Sequence, residues 1–150
     1  MLFYRFTNEA RRVLSRANQA AYSRNQERIG TEYILQGLVE EESGKAFEIL
    51  KALNISVENV IPAIDKLTQI SGVIKPSKRL MLPQTRRARK LVMNAIRESR
   101  NYKPRVVGTE HLLLGLLNIP DSTAVQVLES IGFSSDRIRQ QVMKDPGTAT

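Results

Sequence analysis

Gly30-Thr31-Glu32-Tyr33-Ile34-Leu35-Gln36-Gly37-Leu38 returns 78 residues later as Gly108-Thr109-Glu110-His111-Leu112-Leu113-Leu114-Gly115-Leu116. An internal repeat governs the reading of everything around it, because one supersecondary unit then serves twice. Held at that offset, residues 7–66 align with 85–144 without a gap, and fourteen of the sixty pairs are identical. The apolar pairs say more than the identities. Val13/Leu91, Leu14/Val92, Ala17/Ala95, Ile29/Val107, Leu38/Leu116 and Ala46/Ala124 keep their character, as do Ile49/Val127, Leu50/Leu128, Val60/Ile138 and Ile64/Val142. A preserved core pattern over that length is the mark of a duplicated fold.

Each copy reads as four helices. Thr7 caps the first, which carries Ala10, Val13, Leu14, Ala17 and Ala21 on one face at helical spacing. Thr31 is expected to cap the second, with Glu32 in its positive first turn and Ile34, Leu35, Leu38 and Val39 as the buried stripe. The third follows Ser43-Gly44 and should bury Ala46, Phe47, Ile49, Leu50 and Leu53. The fourth opens at Ser56 and should bury Val57, Val60, Ile61, Ile64 and Leu67, bending at Pro62. The second copy repeats the scheme, with caps near Thr85, Thr109, Asp121 or Ser122, and Ser134. Gly37 and Gly115 sit at matching mid-helix places, where glycine costs about 1 kcal/mol against alanine, so close helix packing is expected there. No stretch alternates long enough to make a strand. The expected fold is all-α: two four-helix repeats related by a pseudo-twofold axis, in one unit of 150 residues. Repeat 1 spans about 3–70, a linker 71–84, repeat 2 about 85–144, and a tail 145–150. A seam shared by the two repeats offers a place for a peptide to lie.

Composition narrows the chemistry. Hydrophobic residues at 41% suffice for a core, and the 5% of aromatics without tryptophan make it an aliphatic one. The absence of cysteine excludes disulfides and thiolate metal sites and fits a reducing compartment. No apolar run approaches the roughly 18 residues of a membrane span, and residues 1–5 lack the apolar region of a signal peptide. The net charge of +8 is uneven: residues 1–70 are neutral, and the stretch 75–105 carries almost all the excess. Such a stretch could meet phosphate, anionic peptide or nucleic acid, or form a solvated helix face. The run Glu40-Glu41-Glu42 reads as the solvated end of a helix or as a docking spot for a basic partner.

The residues Arg5-Phe6-Thr7, then Ala10-Arg11-Arg12-Val13-Leu14, resemble the start of the Clp N-terminal (Clp R) domain. The doubled Gly-Thr-Glu-[Tyr/His]-[Ile/Leu]-Leu-x-Gly-Leu is its hallmark, and Ile138-Arg139-Gln140-Gln141-Val142 also fits. The resemblance spans about residues 3–144 and is nearest to the ClpC type. It implies two four-helix repeats and a non-catalytic role: docking adaptor proteins and substrate proteins or peptides for a Clp unfoldase and its protease subunits. In some ClpC-type members the domain also reads phosphoarginine through two equivalent pockets, one per repeat. There the motif glutamate takes the guanidinium and the start of the repeat's first helix receives the phosphate. The matching residues are Glu32 and Glu110, with Thr7-Asn8 and Thr85-Arg86. That chemistry is sound in itself, because helix starts favour phosphate and a carboxylate takes a guanidinium through two hydrogen bonds. A Thr-Glu pair is also an ordinary way to open a helix. Arg11, Arg12, Arg89 and Lys90 would add positive potential. Phe3 matches a phenylalanine on the family's peptide-docking face, and its second-repeat counterpart is Met81 or Leu82. Gln84, Asn8 and Arg86 depart from the family pattern, which weakens the second pocket most.

Absences shape the reading as much. Gly44-Lys45 lacks the glycine-rich lead of a P-loop, so no nucleotide cradle is expected. His111 is the only histidine, which leaves no histidine-based metal cluster and no arguable Ser-His-Asp grouping. Neither cofactor nor catalytic residue is expected. Two rivals stand beside the docking domain. One is a free-standing Clp accessory or decoy that binds the protease core or competes for its ligands. The other is a nucleic-acid binder using residues 75–105, disfavoured because Tyr102 is the only aromatic there. The expected location is the cytoplasm, or the plastid stroma in a plant.

Overall fold

A computed structural model describes residues 5–68, 81–101 and 105–144. Phe3, most of the inter-repeat linker, Tyr102 and the tail after Lys144 lie outside the described residues. Among the described residues eight helices follow one another: α1 (Asn8–Ser23), α2 (Thr31–Glu40), α3 (Lys45–Ala52), α4 (Val57–Leu67), α5 (Arg86–Ser99), α6 (Thr109–Leu117), α7 (Thr123–Ser130) and α8 (Ser135–Lys144). No strand occurs among the described residues. The fold is the expected all-α double repeat, with α1–α4 answered by α5–α8.

The ends of the helices follow local chemistry. Thr7 and Thr85 each accept a hydrogen bond from the N–H three residues on, at 3.1 Å in both cases. Ser122 caps α7 through the N–H of Val125, and Ser134 caps α8 through that of Arg137. The chain leaves α3 through Asn54 at φ 61° and α7 through Gly132 at φ 97°, the same position in the two repeats. Ile55 and Phe133 then donate back to the carbonyls of Leu50 and Leu128, closing matched left-handed helix ends.

Three details differ from the sequence expectation. Thr31 is the first residue of α2 rather than its cap, and Gly30 holds the cap position. The Thr31 hydroxyl instead accepts the N–H of Ala124 at the start of α7, at 3.0 Å, while Thr109 accepts that of Ala46 at the start of α3, also at 3.0 Å. Each repeat thus caps the third helix of the other. α2 and α6 are also buried along their whole inner length, not on one stripe: every residue of 31–39 and of 109–117 is shielded. Each of these helices lies between the first helix of its own repeat and helices of the other repeat, so no face is left for solvent. Leu67, expected in the core, is 45% exposed at the end of α4, and Phe47, Val57 and Ile61 are only partly covered.

The repeats join in one aliphatic core, from Val13 and Leu35 in the first to Leu91 and Leu113 in the second. Two short parallel backbone pairings stitch them together, Phe6 with Val107 and Ile29 with Gln84. Shifting either pairing by the repeat offset gives the other. The N–H of Thr7 donates to Val107 O at 2.9 Å, and that of Thr85 donates to Ile29 O at 2.9 Å. These exchanged contacts define the pseudo-twofold axis. Close packing beside it requires Gly37, where a Cβ would lie 2.5 Å from the Val13 carbonyl oxygen.

Candidate functional site

The Phe6–Val107 pairing brings the beginning of α1 against the beginning of α6. The Thr109 cap draws in the beginning of α3. Three helix starts, at Thr7, Gly44 and Gly108, therefore open on one cleft of about 240 Å³, which Glu9, Ser43, Lys45 and Glu110 also line. Each start presents N–H groups that its own helix does not use, and its dipole favours negative charge. In α1 the Thr7 hydroxyl takes the N–H of Ala10, leaving those of Asn8 and Glu9 as the outermost donors.

Into this positive setting the structure puts one buried carboxylate, Glu110, with the half-exposed Glu9 at the edge. Glu110 is 8% exposed, and its Oε2 lies 3.6 Å from the Lys45 Nζ. Its side chain folds back over Gly108, where a Cβ would collide with it, and Glu32 folds over Gly30 in the same way. The glycine of each hallmark motif is thus the room its glutamate occupies. Burial raises the Glu32 carboxyl above 4.5, against the opposing pull of its own backbone N–H and of Arg24.

The grouping corrects the arrangement expected of one pocket per repeat. Glu110 faces Thr7, the first-helix start of the other repeat. The partner pairing Ile29–Gln84 sets Thr85 beside the Glu32 motif by the same exchange. Sequence spacing could not display this, since it orders residues within a repeat and is silent on how repeats cross. Lys45, noted in the sequence only as part of a failed P-loop, was missed as a site residue.

The remaining expected residues divide. Leu82 is not on a docking surface: it is 3% exposed and packs into the core, its N–H held by Asn18 Oδ1 at 2.8 Å. Met81 is 62% exposed. Asn8, Arg11, Arg86, Arg89 and Lys90 are exposed. Arg12 is committed to Glu41 at 3.1 Å, with Arg16 joining the same carboxylate at 3.3 Å. Glu41 is accordingly buried rather than part of a solvated acidic run. Burial works against its charge, but the Ser43 hydroxyl and the two guanidiniums outweigh that and hold its carboxyl below 4.5. Around the second pocket, Arg87 stands where the first has Glu9, and pairs with Asp121 at 2.7 Å. His111 accepts the N–H of Gly108 at Nδ1, 2.9 Å away, which makes it a neutral, helix-closing side chain. Burial lowers its pKa below 6.5. Among the described residues no set of three histidine or acidic side chains converges to hold a metal ion, and no helix is long and apolar enough to cross a membrane.

Comparison with known proteins agrees with this architecture. The family model of the Clp repeat (R) N-terminal domain matches twice, over residues 5–84 and 83–148. The chaperone protein ClpB of Oceanobacillus iheyensis is 36% identical over 144 residues, covering 96% of this chain and 17% of that one. The negative regulator of genetic competence ClpC/MecB of Bacillus subtilis is 35% identical over 144 residues, with the same coverage of 96% and 17%. The chain thus spans about a sixth of the length of these relatives. Among solved structures, the N-terminal domain of ClpD from Arabidopsis thaliana superposes with a TM-score of 0.78 at 20% identity, covering 95% of both chains. The Hsp104 N-terminal domain of Candida albicans gives 0.77 at 19% identity, covering 95% of this chain and 92% of that one. A complex of the ClpV N-domain with a VipB peptide gives 0.67 at 14% identity, covering 95% of this chain and 88% of that one. With the doubled family match and relatives above 30% identity across nearly its whole length, the chain belongs to the Clp repeat (R) N-terminal domain family.

Proposed function

We propose that this chain is a non-catalytic docking domain that presents adaptor proteins and substrate proteins or peptides to an AAA+ unfoldase of a Clp-type protease system. We further propose that its cleft at Glu110 receives an arginine-phosphorylated side chain. One observation carries the reading: three helix starts and Lys45 converge with a single buried carboxylate in one small cleft. A ligand that is anionic at one end and a planar cation at the other matches that layout. The phosphate would lie against the N–H groups at the start of α1 and the guanidinium against Glu110. Lys45 would then leave Glu110 for the phosphate, keeping both charges compensated. The peptide-bound ClpV N-domain, a fold relative, supports peptide capture as a use of this architecture.

The test is a calorimetric titration of the chain with phosphoarginine and with a phosphoarginine peptide. Glu110→Ala should weaken binding at least about tenfold, the scale of one charge-assisted bidentate pair. Glu32→Ala reports on the partner pocket in the same experiment. No saturable binding by the unaltered chain would refute the ligand assignment.

A further inference from the structure

A second, larger groove runs between the end of α2 and the starts of α3 and α4. It has a volume of about 520 Å³, an apolar floor of Val39, Phe47 and Val57, and a rim that includes Glu40, Glu42 and Glu58. Its counterpart lies in the other repeat, a groove of about 430 Å³ at Leu117, Val125 and Ser135 with Asn118, Pro120 and Asp136 on the rim. These six residues are the first groove's six moved by the repeat offset of 78. The two grooves are one piece of architecture with two contents.

The second groove holds its own cation. Arg139 donates to the Leu117 carbonyl at 2.7 Å, to Asn118 Oδ1 at 3.0 Å and to Asp136 at 3.0 Å. Its guanidinium thus closes the C-terminal end of α6, where the helix dipole favours positive charge. The first repeat carries Ile61 at that position, half-buried and unable to donate. Among the described residues no donor reaches the Val39 carbonyl, the counterpart of that of Leu117. Of the cations lining the first groove, Arg16 pairs with Glu41 at 3.3 Å and Lys51 lies over the Phe47 ring of the floor at 5.9 Å, so neither takes the place that Arg139 fills in the sister groove. Glu40, Glu42 and Glu58 form no ion pair among the described residues.

We infer that the first groove docks an unmodified arginine of a partner peptide, its guanidinium taking the place of Arg139 at the end of α2 and an adjacent apolar side chain resting on Phe47 and Val57. The fork of donors matches a backbone carbonyl and a carboxylate at once, as Arg139 does in the sister groove. The three rim carboxylates complete the charge match and would repel a phosphorylated arginine, so this site and the Glu110 cleft select opposite forms of one residue. The inference does not depend on the Glu110 cleft.

The test uses the 15N-labelled chain and three acetylated tetrapeptide amides: Gly-Arg-Leu-Gly, its citrulline counterpart and its phosphoarginine counterpart. The arginine peptide should shift the amides of Val39, Phe47 and Val57 saturably. The citrulline peptide should bind at least about tenfold more weakly, since it lacks the charge. Ile61→Arg installs the sister repeat's own cation and should abolish these shifts while the thermal melt persists. Should that variant fail to fold, the Glu42→Gln/Glu58→Gln pair must still weaken the arginine peptide. Absent shifts, equal response to citrulline, preference for phosphoarginine in this groove, or self-association of the chain through it would each overturn the inference.

Discussion

Replacing Thr109 by valine is the most direct probe of how the two repeats hold together. Thr109 is 2% exposed, and its hydroxyl accepts the N–H of Ala46 across the repeat boundary at 3.0 Å. Valine keeps the shape and the branching and removes the acceptor. The net worth of such a bond is about 1 kcal/mol, but a buried donor left without a partner costs about 1–3 kcal/mol. Removing a helix cap costs about 0.5–2 kcal/mol, which is the same loss seen from the helix. We therefore expect Thr109→Val to destabilise the domain by about 2 kcal/mol. For a chain of this size each kcal/mol lowers Tm by about 2–4 °C, so the melt should fall by about 4–8 °C. Thr109→Ser keeps the hydroxyl and forfeits one methyl group, so it should cost about 0.8 kcal/mol or less. Thr31→Val breaks the reciprocal cap on Ala124. The two changes share no partner and should add to within about 0.5 kcal/mol. Calorimetric melts of the four variants decide it. A Thr109→Val melt equal to the parent's, or a serine variant as damaged as the valine one, would refute cross-repeat capping as a source of stability.

Two further outcomes are expected. Asn54→Gly should raise stability by about 0.5–1 kcal/mol in urea unfolding, because the residue sits at φ 61° where its sister is Gly132 and glycine carries no Cβ penalty. Glu32→Gln should matter more as pH rises. Burial keeps the Glu32 proton in the folded chain above 4.5, so between that value and its raised pKa the folded state binds more protons than the unfolded one, and stability falls with increasing pH. Glutamine escapes this, so its advantage over glutamate in denaturant midpoints should be near zero below 4.5 and grow as pH rises above it.

The repeat offset made most of the fold legible in the sequence. It aligned the core positions, and threonine or serine marked the starts of α1, α4, α5 and α7. Gly37 and Gly115 marked the close helix packing. What escaped was everything decided between repeats. Thr31 was read as a local cap because the rule for helix starts looks only three residues ahead, and the hydroxyl serves a helix 93 residues away. Leu82 was placed on the docking face as a counterpart of Phe3, yet its N–H is held by Asn18 and its side chain is buried in the core. The motif glutamates were picked out by the resemblance, while the identity of the helix facing each one depended on how the halves cross. Lys45 could have been flagged by its place directly after the loop that Thr109 caps.

The exchanged caps also bear on ancestry and assembly. Cut between the copies, either half would expose the unfinished start of its third helix and a length of backbone seeking a parallel neighbour. Two identical halves would meet both needs by facing one another. The single chain keeps the geometry of such a symmetric pair, and joining them in one polypeptide freed the sister surfaces to diverge, leaving one groove with a guanidinium of its own and the other without.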